Sequence, residues 1–217
     1  MFCDIILIVT IKGKTMEIAR SDIIESTLNG IDEAMNMYRE WSDGEWLWNA
    51  PEYFIVVKIS ENISKLYGTK YITLEDNVET ILNIAKAKGS TSSVTRRNGR
   101  FDIVVWGKKG RPRVIIEVKN SVYRKGKIEE DIKRIKEVLK RKKSQSTIEF
   151  GLIAFYADRT YKTKNAKKKV EAKMKTLLKE IEEENYDISF EMFFRGNEII
   201  KDDTDAWASV VLLMCIK

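Results

Sequence analysis

The chain has 217 residues, a net charge of +6, no histidine, and two cysteines near opposite termini, Cys3 and Cys215. The absence of histidine excludes every catalytic triad, zinc site or nuclease centre that needs an imidazole. Two cysteines exclude a disulfide framework and a four-cysteine zinc site. The length predicts one domain, or one domain with an appendage, and the low cysteine content favours a reducing, cytoplasmic setting.

Residues 1–48 are predicted to be an N-terminal extension made of a short strand, a helix and a tryptophan-rich loop. The strand at 5–11 is far shorter than the roughly 20 residues of a membrane span, so no membrane partner is expected. Apolar residues at helical spacing predict an amphipathic helix over 16–40, and Met16 is an alternative start to Met1. The tryptophans of the loop are expected to pack this helix on the core, with stacking on bases as the alternative.

Residues 49–217 are predicted to form the main domain. Pro51 suits the first turn of a helix over 51–67, although the β-rich run YFIVVKI leaves a strand open. A strand is expected at 71–75, and Asp76 is predicted to cap a helix over 77–88.

The rest of the chain alternates between apolar strands and charged helices. The expected elements are strands at 101–106 and 113–118, a helix at 127–143, a strand at 150–156, a helix at 164–184, and strands at 187–194 and 207–216. This order predicts an α/β fold with a mixed β-sheet flanked by helices.

The hairpin formed by the first two of these strands carries the most informative charges. If its polar turn, GKKGRP, is centred between Lys109 and Gly110, Asp102 falls opposite Glu117, and Lys119 shares the face of Glu117. Like charges directly opposed across a sheet are destabilising. Two carboxylates beside an ammonium make physical sense around a divalent cation, and Mg²⁺ is typically held by one or two carboxylates together with water and substrate phosphate.

The setting of Glu117 distinguishes it from other charged residues. It interrupts the run VIIEV, which is otherwise apolar, and a buried charge is costly unless it is paired or binds a metal. By contrast, the segment Glu171-Ala172-Lys173 has the same spacing but lies in a lysine-rich helix and is expected to be a solvated face. A plain salt bridge between Glu117 and Lys119 is the alternative.

Asp102, the hairpin and Glu117-Val118-Lys119 resemble the signature of the PD-(D/E)xK, or restriction-endonuclease-like, nuclease superfamily. Phe101 stands where that signature nominally has proline. The order of predicted elements extends the resemblance over about residues 50–217. It implies a restriction-endonuclease-like core, Mg²⁺ bound by Asp102 and Glu117 (with Mn²⁺ as a substitute), and a lysine that activates or orients the attacking water.

The resemblance also implies a further glutamate from the helix that precedes the sheet. Glu52 is the preferred candidate, because a carboxylate in the first turn of a helix is favoured by the helix dipole, which alone could also explain it. Glu61 and Glu79 are reserves. On the helix at 127–143, Lys133 and Arg134 are expected to belong to a solvated face rather than to contact phosphate.

Basic residues surround the hairpin, and together with the net positive charge they favour a polyanionic partner. The residues predicted to bind nucleic acid are Arg96, Arg97, Arg100, Lys108, Lys109 and Arg111.

The function expected from these features is a Mg²⁺-dependent nuclease acting on DNA in processing, repair, mobile-element biology or defence. The alternatives are a non-catalytic nucleic-acid-binding or assembly module that keeps the fold, and a nuclease directed at RNA. Whether the protein forms a homodimer is left open.

Overall fold

The computed structural model describes residues 18–89, 99–107, 109–141, 146–199 and 203–217. The predicted strand at 5–11, the alternative start Met16, and the basic residues Arg96, Arg97 and Lys108 lie outside these residues.

The described residues form five α-helices and six β-strands. The helices are α1 (Arg20–Trp41), α2 (Glu52–Ser64), α3 (Val78–Ile84), α4 (Glu129–Leu139) and α5 (Ala166–Glu182). The strands are β1 (Tyr71–Asn77), β2 (Arg100–Trp106), β3 (Pro112–Lys119), β4 (Phe150–Thr160), β5 (Ile188–Ile199) and β6 (Asp205–Ile216). Within this part of the chain, no helix is both long and apolar enough to cross a membrane.

The six strands form one sheet in the order β1-β2-β3-β4-β6-β5. Strands β3 and β4 are parallel, whereas every other neighbouring pair is antiparallel. Helix α4 makes the crossover that a parallel pair requires. The prediction of an α/β fold with a mixed sheet flanked by helices is therefore confirmed.

The helices cover both faces of the sheet, and the alternation of β2 and β3 decides which residues meet which helices. Ile103 and Ile116 pack with α1 and α2 in one hydrophobic cluster. Val104 and Ile115 pack with α3, α4 and α5 in the other. Because α1 shares a cluster with the sheet, the boundary expected near residue 48 does not coincide with a break in packing.

Two local expectations are corrected. The strand alternative for YFIVVKI is wrong, because Ile55, Ile59 and Ile63 are buried at the spacing of one helix face, and this periodicity outweighs the β-propensity of the segment. The cap of α3 is Asn77, whose side chain accepts a hydrogen bond of 3.1 Å from the Thr80 backbone N–H, and not Asp76.

Helices α1 and α2 approach each other closely at Gly30. A Cβ atom added to Gly30 would lie 2.5 Å from Ile59 Cα, which is backbone and cannot turn aside. We expect Gly30→Ala to lower the free energy of unfolding by about 1–3 kcal/mol, the usual cost of overpacking, despite the better helix propensity of alanine. Urea denaturation measures this, with Gly126→Ala as the control because its Cβ would meet nothing within 4 Å. Equal midpoints for the two variants would contradict the close approach.

Candidate active site

The register of the hairpin places the two predicted acids in one row. Ile103 pairs with Ile116, and Val104 pairs with Ile115, as the turn-centred register predicts. One residue beyond the first pair, Asp102 and Glu117 lie on the face of the sheet that α4 covers. The register departs from this pattern near the turn, where Trp106 pairs with Pro112, a residue that has no backbone N–H to contribute to the ladder.

Asp102 is fixed by the neighbouring strand. Its Oδ2 accepts a hydrogen bond of 2.6 Å from the backbone N–H of Val118. Burial raises the pKa of the Asp102 carboxyl, and the charges of Glu75 and Asp131 raise it further, against the opposing effects of the Val118 hydrogen bond and Lys119. The carboxylate is therefore oriented by β3 but incompletely compensated.

Glu117 is the most deeply buried acid of the group, with 1% of its surface exposed. Arg134 Nη1 lies 3.1 Å from its Oε1, but without hydrogen-bond geometry, and no other described residue donates to this oxygen. Burial raises the pKa of the Glu117 carboxyl well above its ordinary value, and the charge of Asp102 adds to this increase. A buried oxygen without a donor is a site at which a cation would be stabilised.

Lys119 lies between two helices that approach the end of β3. Its Nζ is 3.6 Å from Glu52 Oε1 and 3.6 Å from Asp131 Oδ2, and it donates to the Val118 carbonyl at 3.1 Å. Burial lowers the pKa of Lys119, but the carboxylates of Asp131, Glu52, Asp102 and Glu117 outweigh burial, so the pKa is raised. The ammonium is therefore held in its charged form.

Glu52 begins α2 and reaches the same site. Its Oε2 accepts a hydrogen bond of 2.8 Å from the backbone N–H of Asn120. The Asn120 side chain donates in turn to the carbonyls of Leu47 and Ala50, each at 3.1 Å, and so ties the start of α2 to the end of β3. The reserve candidate Glu61 instead pairs with Lys58 on its own helix, at 2.6 Å, and with Lys65 directly after that helix, at 3.0 Å.

Helix α4 covers the site on the face of the sheet that carries Asp102 and Glu117. Asp131 is 3% exposed, and its Oδ1 accepts a hydrogen bond of 2.7 Å from Arg134 Nη2. Arg134 Nη1 also donates to the Arg100 carbonyl at 3.2 Å. The expectation that Arg134 belongs to a solvated face is wrong, because these contacts hold its guanidinium between α4 and the sheet. Lys133, by contrast, is exposed and pairs with Glu129 on the same helix.

Glu75 is an acid that the sequence analysis did not connect with the site. Leu74 pairs with Ile103 and Asp76 pairs with Phe101, so Glu75 lies in the row of Asp102 on the other side of β2. Its φ of 55° departs from the extended conformation. The pairing of β1 with β2 is the signal that could have identified it, but no short turn joins these strands to fix their register.

The charges of the site leave a deficit of positive charge. Among the described residues, two cationic side chains, Lys119 and Arg134, lie beside four carboxylates, those of Glu52, Asp102, Glu117 and Asp131, and Glu75 adds a fifth negative charge that acts on Asp102. No group of three or more metal-ligating side chains is present among the residues that the structure describes. Mg²⁺ does not require such a group, since one or two carboxylates suffice when water and substrate supply the other ligands. The Asp102–Glu117 pair therefore fits Mg²⁺.

The predicted basic residues are divided between the two ends of the hairpin. Arg100 begins β2 beside Asp102, and its side chain is exposed. Lys109 and Arg111 lie at the turn, separated from Asp102 by roughly 13 Å of strand at about 3.3 Å per residue. The turn residues are thus not part of the acid cluster, and their contact with nucleic acid stays a prediction.

Comparisons with protein-family models, with curated proteins and with solved structures found no match. The resemblance to the PD-(D/E)xK superfamily therefore stays a prediction from the sequence motif.

The raised pKa of Glu117 predicts a pH-dependent stability. A carboxyl whose pKa is higher in the folded state costs stability as the pH rises from its ordinary value, 4.5, through the raised value. Glu117→Gln removes this cost, so in EDTA at pH 8 we expect its free energy of unfolding to exceed that of the wild type by about 1 kcal/mol or more, since each unit by which folding raises a carboxyl pKa costs about 1.4 kcal/mol above that pKa. The difference should vanish near pH 4 in urea titrations. A variant less stable than the wild type at pH 8 would show that Glu117 belongs to a stabilising ion pair.

Proposed function

We propose that the protein is a Mg²⁺-dependent nuclease that hydrolyses phosphodiester bonds of DNA. The observation that carries this proposal is the buried Glu117 oxygen without a hydrogen-bond donor, in the row of Asp102 and beside Lys119. Arg134 lies 3.1 Å from that oxygen without hydrogen-bond geometry, whereas a purely structural cluster would be expected to give it a donor, since a buried acceptor without one costs about 1–3 kcal/mol.

The residues of the site have separable roles in this proposal. Asp102 and Glu117 hold the metal ion, which when bound supplies positive charge to the scissile phosphate and lowers the pKa of water. Lys119 orients the attacking water and neutralises the charge that builds on the phosphate oxygens in the transition state. Glu52 and Asp131 fix the ammonium, each with an oxygen 3.6 Å from Nζ.

The arrangement of elements supports a restriction-endonuclease-like core. In the sequence α2, β1, α3, β2, β3, α4, β4, the strands β1, β2 and β3 form an antiparallel three-stranded unit that is followed by a crossover to the parallel strand β4. This order brings the start of β2, the end of β3, the start of α2 and the buried face of α4 to one place, so that four separate segments each contribute one carboxylate to the cluster.

One observation favours a non-catalytic module as the second candidate. Arg134 lies close to both Glu117 and Asp131, at 3.1 and 2.7 Å, and so partly neutralises the acids without a metal. In a protein that only binds nucleic acid, this ion-pair network would serve the fold, and divalent cations would change neither stability nor any reaction.

Conversion of supercoiled plasmid tests the proposal. The wild-type protein should produce nicked and then linear DNA with Mg²⁺ or Mn²⁺, and none in EDTA. Restoring Mg²⁺ after EDTA should restore cleavage, which separates metal dependence from loss of protein. Plasmid that stays supercoiled, together with a duplex bearing a single-stranded tail that stays intact, with both metals and at protein concentrations that saturate binding in a gel-shift assay, would favour the non-catalytic module.

A further inference from the structure

A cavity of about 630 Å³ opens at the edge of the sheet that carries the candidate active site. Since β3 and β4 are parallel, their carboxyl ends lie at the same edge: Lys119 pairs with Phe155, and Asp158 follows three residues further along β4. The volume lies in the range of pockets that enclose small organic groups, about 300–1,000 Å³. The side chains that matter for its chemistry are Trp48, Tyr123, Arg124, Lys127, Asp158 and Arg159.

The cavity is joined to the active site by two short connections. Ser121 lines it two residues after Lys119, and its φ of 56° turns the chain at the end of β3. Trp48 follows Leu47, whose carbonyl accepts a hydrogen bond from the Asn120 side chain. A group seated in the cavity would therefore adjoin a phosphate held at Lys119.

The basic side chains of the cavity are available to a ligand. Arg124, Lys127 and Arg159 are exposed, and none of them forms an ion pair with another residue in the described part of the chain. Arg134 and Lys119 in the active site, by contrast, are each paired with carboxylates. Three cations around one opening, none in an ion pair with another described residue, favour a phosphate-bearing ligand.

Asp158 supplies an unused acceptor within the cavity. Its Oδ1 is buried and receives no hydrogen bond from the described residues. Burial raises the pKa of Asp158 to about 6, against the opposing charge of Arg159, so the carboxylate is ionised at pH 8. The residue as a whole lines the cavity and is partly exposed, so a ligand with an N–H group would donate to the accessible part of its carboxylate.

Aromatic side chains complete the pocket. Trp48 is 51% exposed and presents a free ring at the rim. The Arg159 guanidinium lies over the Tyr123 ring, 5.4 Å from its centroid, which gives a second flat surface. Aromatic rings and planar guanidinium groups are the usual platforms on which single-stranded bases stack.

We propose that this cavity binds one unpaired nucleotide of the DNA strand next to the scissile phosphate, with its base stacked on Trp48 and hydrogen-bonded to Asp158. The inference rests on the proposed nuclease function and adds a substrate class: DNA with a single-stranded end or branch rather than intact duplex. A duplex base cannot enter the cavity without leaving its stack.

The acceptor on Asp158 also predicts a base preference. The exocyclic amino group of cytosine can donate to a carboxylate, whereas the N–H of thymine lies between two carbonyl oxygens that a carboxylate repels. Unpaired cytosine should therefore bind more tightly than unpaired thymine.

Fluorescence anisotropy in EDTA at pH 8 tests the inference with three forms of the same duplex: blunt, with an unpaired dC tail, and with an unpaired dT tail. Each tail has about six nucleotides, a length within the span of a single-strand binding site. The wild type should bind the dC tail about tenfold more tightly than the blunt duplex, as one stacked base would give. It should bind the dC tail about fivefold more tightly than the dT tail. Equal affinity for blunt and tailed DNA would overturn the inference.

Two variants and a matched control assign the effect to the cavity. Trp48→Ala should lose the preference for tails, whereas Trp41→Ala should keep it, because Trp41 is also exposed but does not line the cavity. Asp158→Asn should bind dC and dT tails equally, since an amide can both donate and accept. Unchanged preferences in both cavity variants, with melting temperatures like that of the wild type, would refute the assignment.

The outcomes separate this inference from the nuclease proposal. Cleavage with Mg²⁺ but no preference for tails would refute the cavity assignment and leave the nuclease intact. Preference for tails without cleavage would support the cavity and refute the nuclease. Tighter binding of an RNA tail than of the same DNA tail, or competition by free dCMP at the affinity of the tail, would overturn the assignment to a DNA strand.

Discussion

Asp102→Asn is expected to abolish Mg²⁺-dependent cleavage of DNA, with a loss of at least about 100-fold in rate, because replacing even an outer partner of a metal ligand costs about 10–100-fold. The protein should still fold, since the asparagine carbonyl can accept the hydrogen bond that the Val118 N–H now donates to Asp102 at 2.6 Å. Its metal-free melting temperature should equal or exceed that of the wild type, because burial and nearby carboxylates raise the pKa of Asp102.

Plasmid nicking measures the loss of cleavage, and thermal unfolding in EDTA measures the metal-free melting temperature. Asp22→Asn is the matched control, as Asp22 is an exposed aspartate in the first turn of α1, and it should cleave like the wild type. A strongly destabilised Asp102→Asn would assign Asp102 to a structural ion pair. Full cleavage by the variant would exclude Asp102 from the chemistry.

Lys119→Ala is expected to lower kcat by at least about 100-fold, since a positioned group that transfers a proton or stabilises transition-state charge contributes about 10²–10⁴-fold. The effect should fall on kcat and not on KM, because the proposed mechanism uses Lys119 at the reacting phosphate, and its ammonium lies beside Glu52 and Asp131 rather than free for contact along the DNA. DNA binding in EDTA should be retained. Single-turnover cleavage and anisotropy measure the two quantities.

Lys173→Ala is the matched control for Lys119→Ala. Lys173 follows Glu171 by the same spacing, but it lies on α5, where its Nζ is 4.0 Å from Glu180 Oε1. It should cleave like the wild type. A loss of cleavage in both variants would indicate a general effect of removing positive charge, and no loss in Lys119→Ala would remove the lysine from the mechanism.

The hairpin shows how much of the site the sequence could predict. A short turn and strict alternation fix the register of β2 and β3, so the row of Asp102 and Glu117 followed from local arithmetic. The same reasoning should have placed Lys109 and Arg111 at the far end of the hairpin, away from the acids, rather than beside them.

The remaining residues of the site depend on contacts between distant segments. The many charged residues of its helix predict that Arg134 is solvated. It faces Glu117 only because the helix crosses over the sheet between β3 and β4. Glu75 lies near Asp102 because β1 pairs with β2, and these strands are separated in the sequence by α3 and residues 90–98. The cavity at Asp158 requires the parallel pairing of β3 and β4, which no turn encodes.

Thermal unfolding of the wild type and Asp102→Asn, each in EDTA and in about 10 mM Mg²⁺, tests most directly whether the carboxylate pair is a metal site. For a dissociation constant of about 1 mM, binding to the folded state alone stabilises it by about 1.4 kcal/mol, a rise of roughly 3–5 °C for a chain of this size. We predict this rise for the wild type and none for Asp102→Asn. An equal rise in both proteins, or none in either, would contradict a Mg²⁺ site at Asp102 and Glu117.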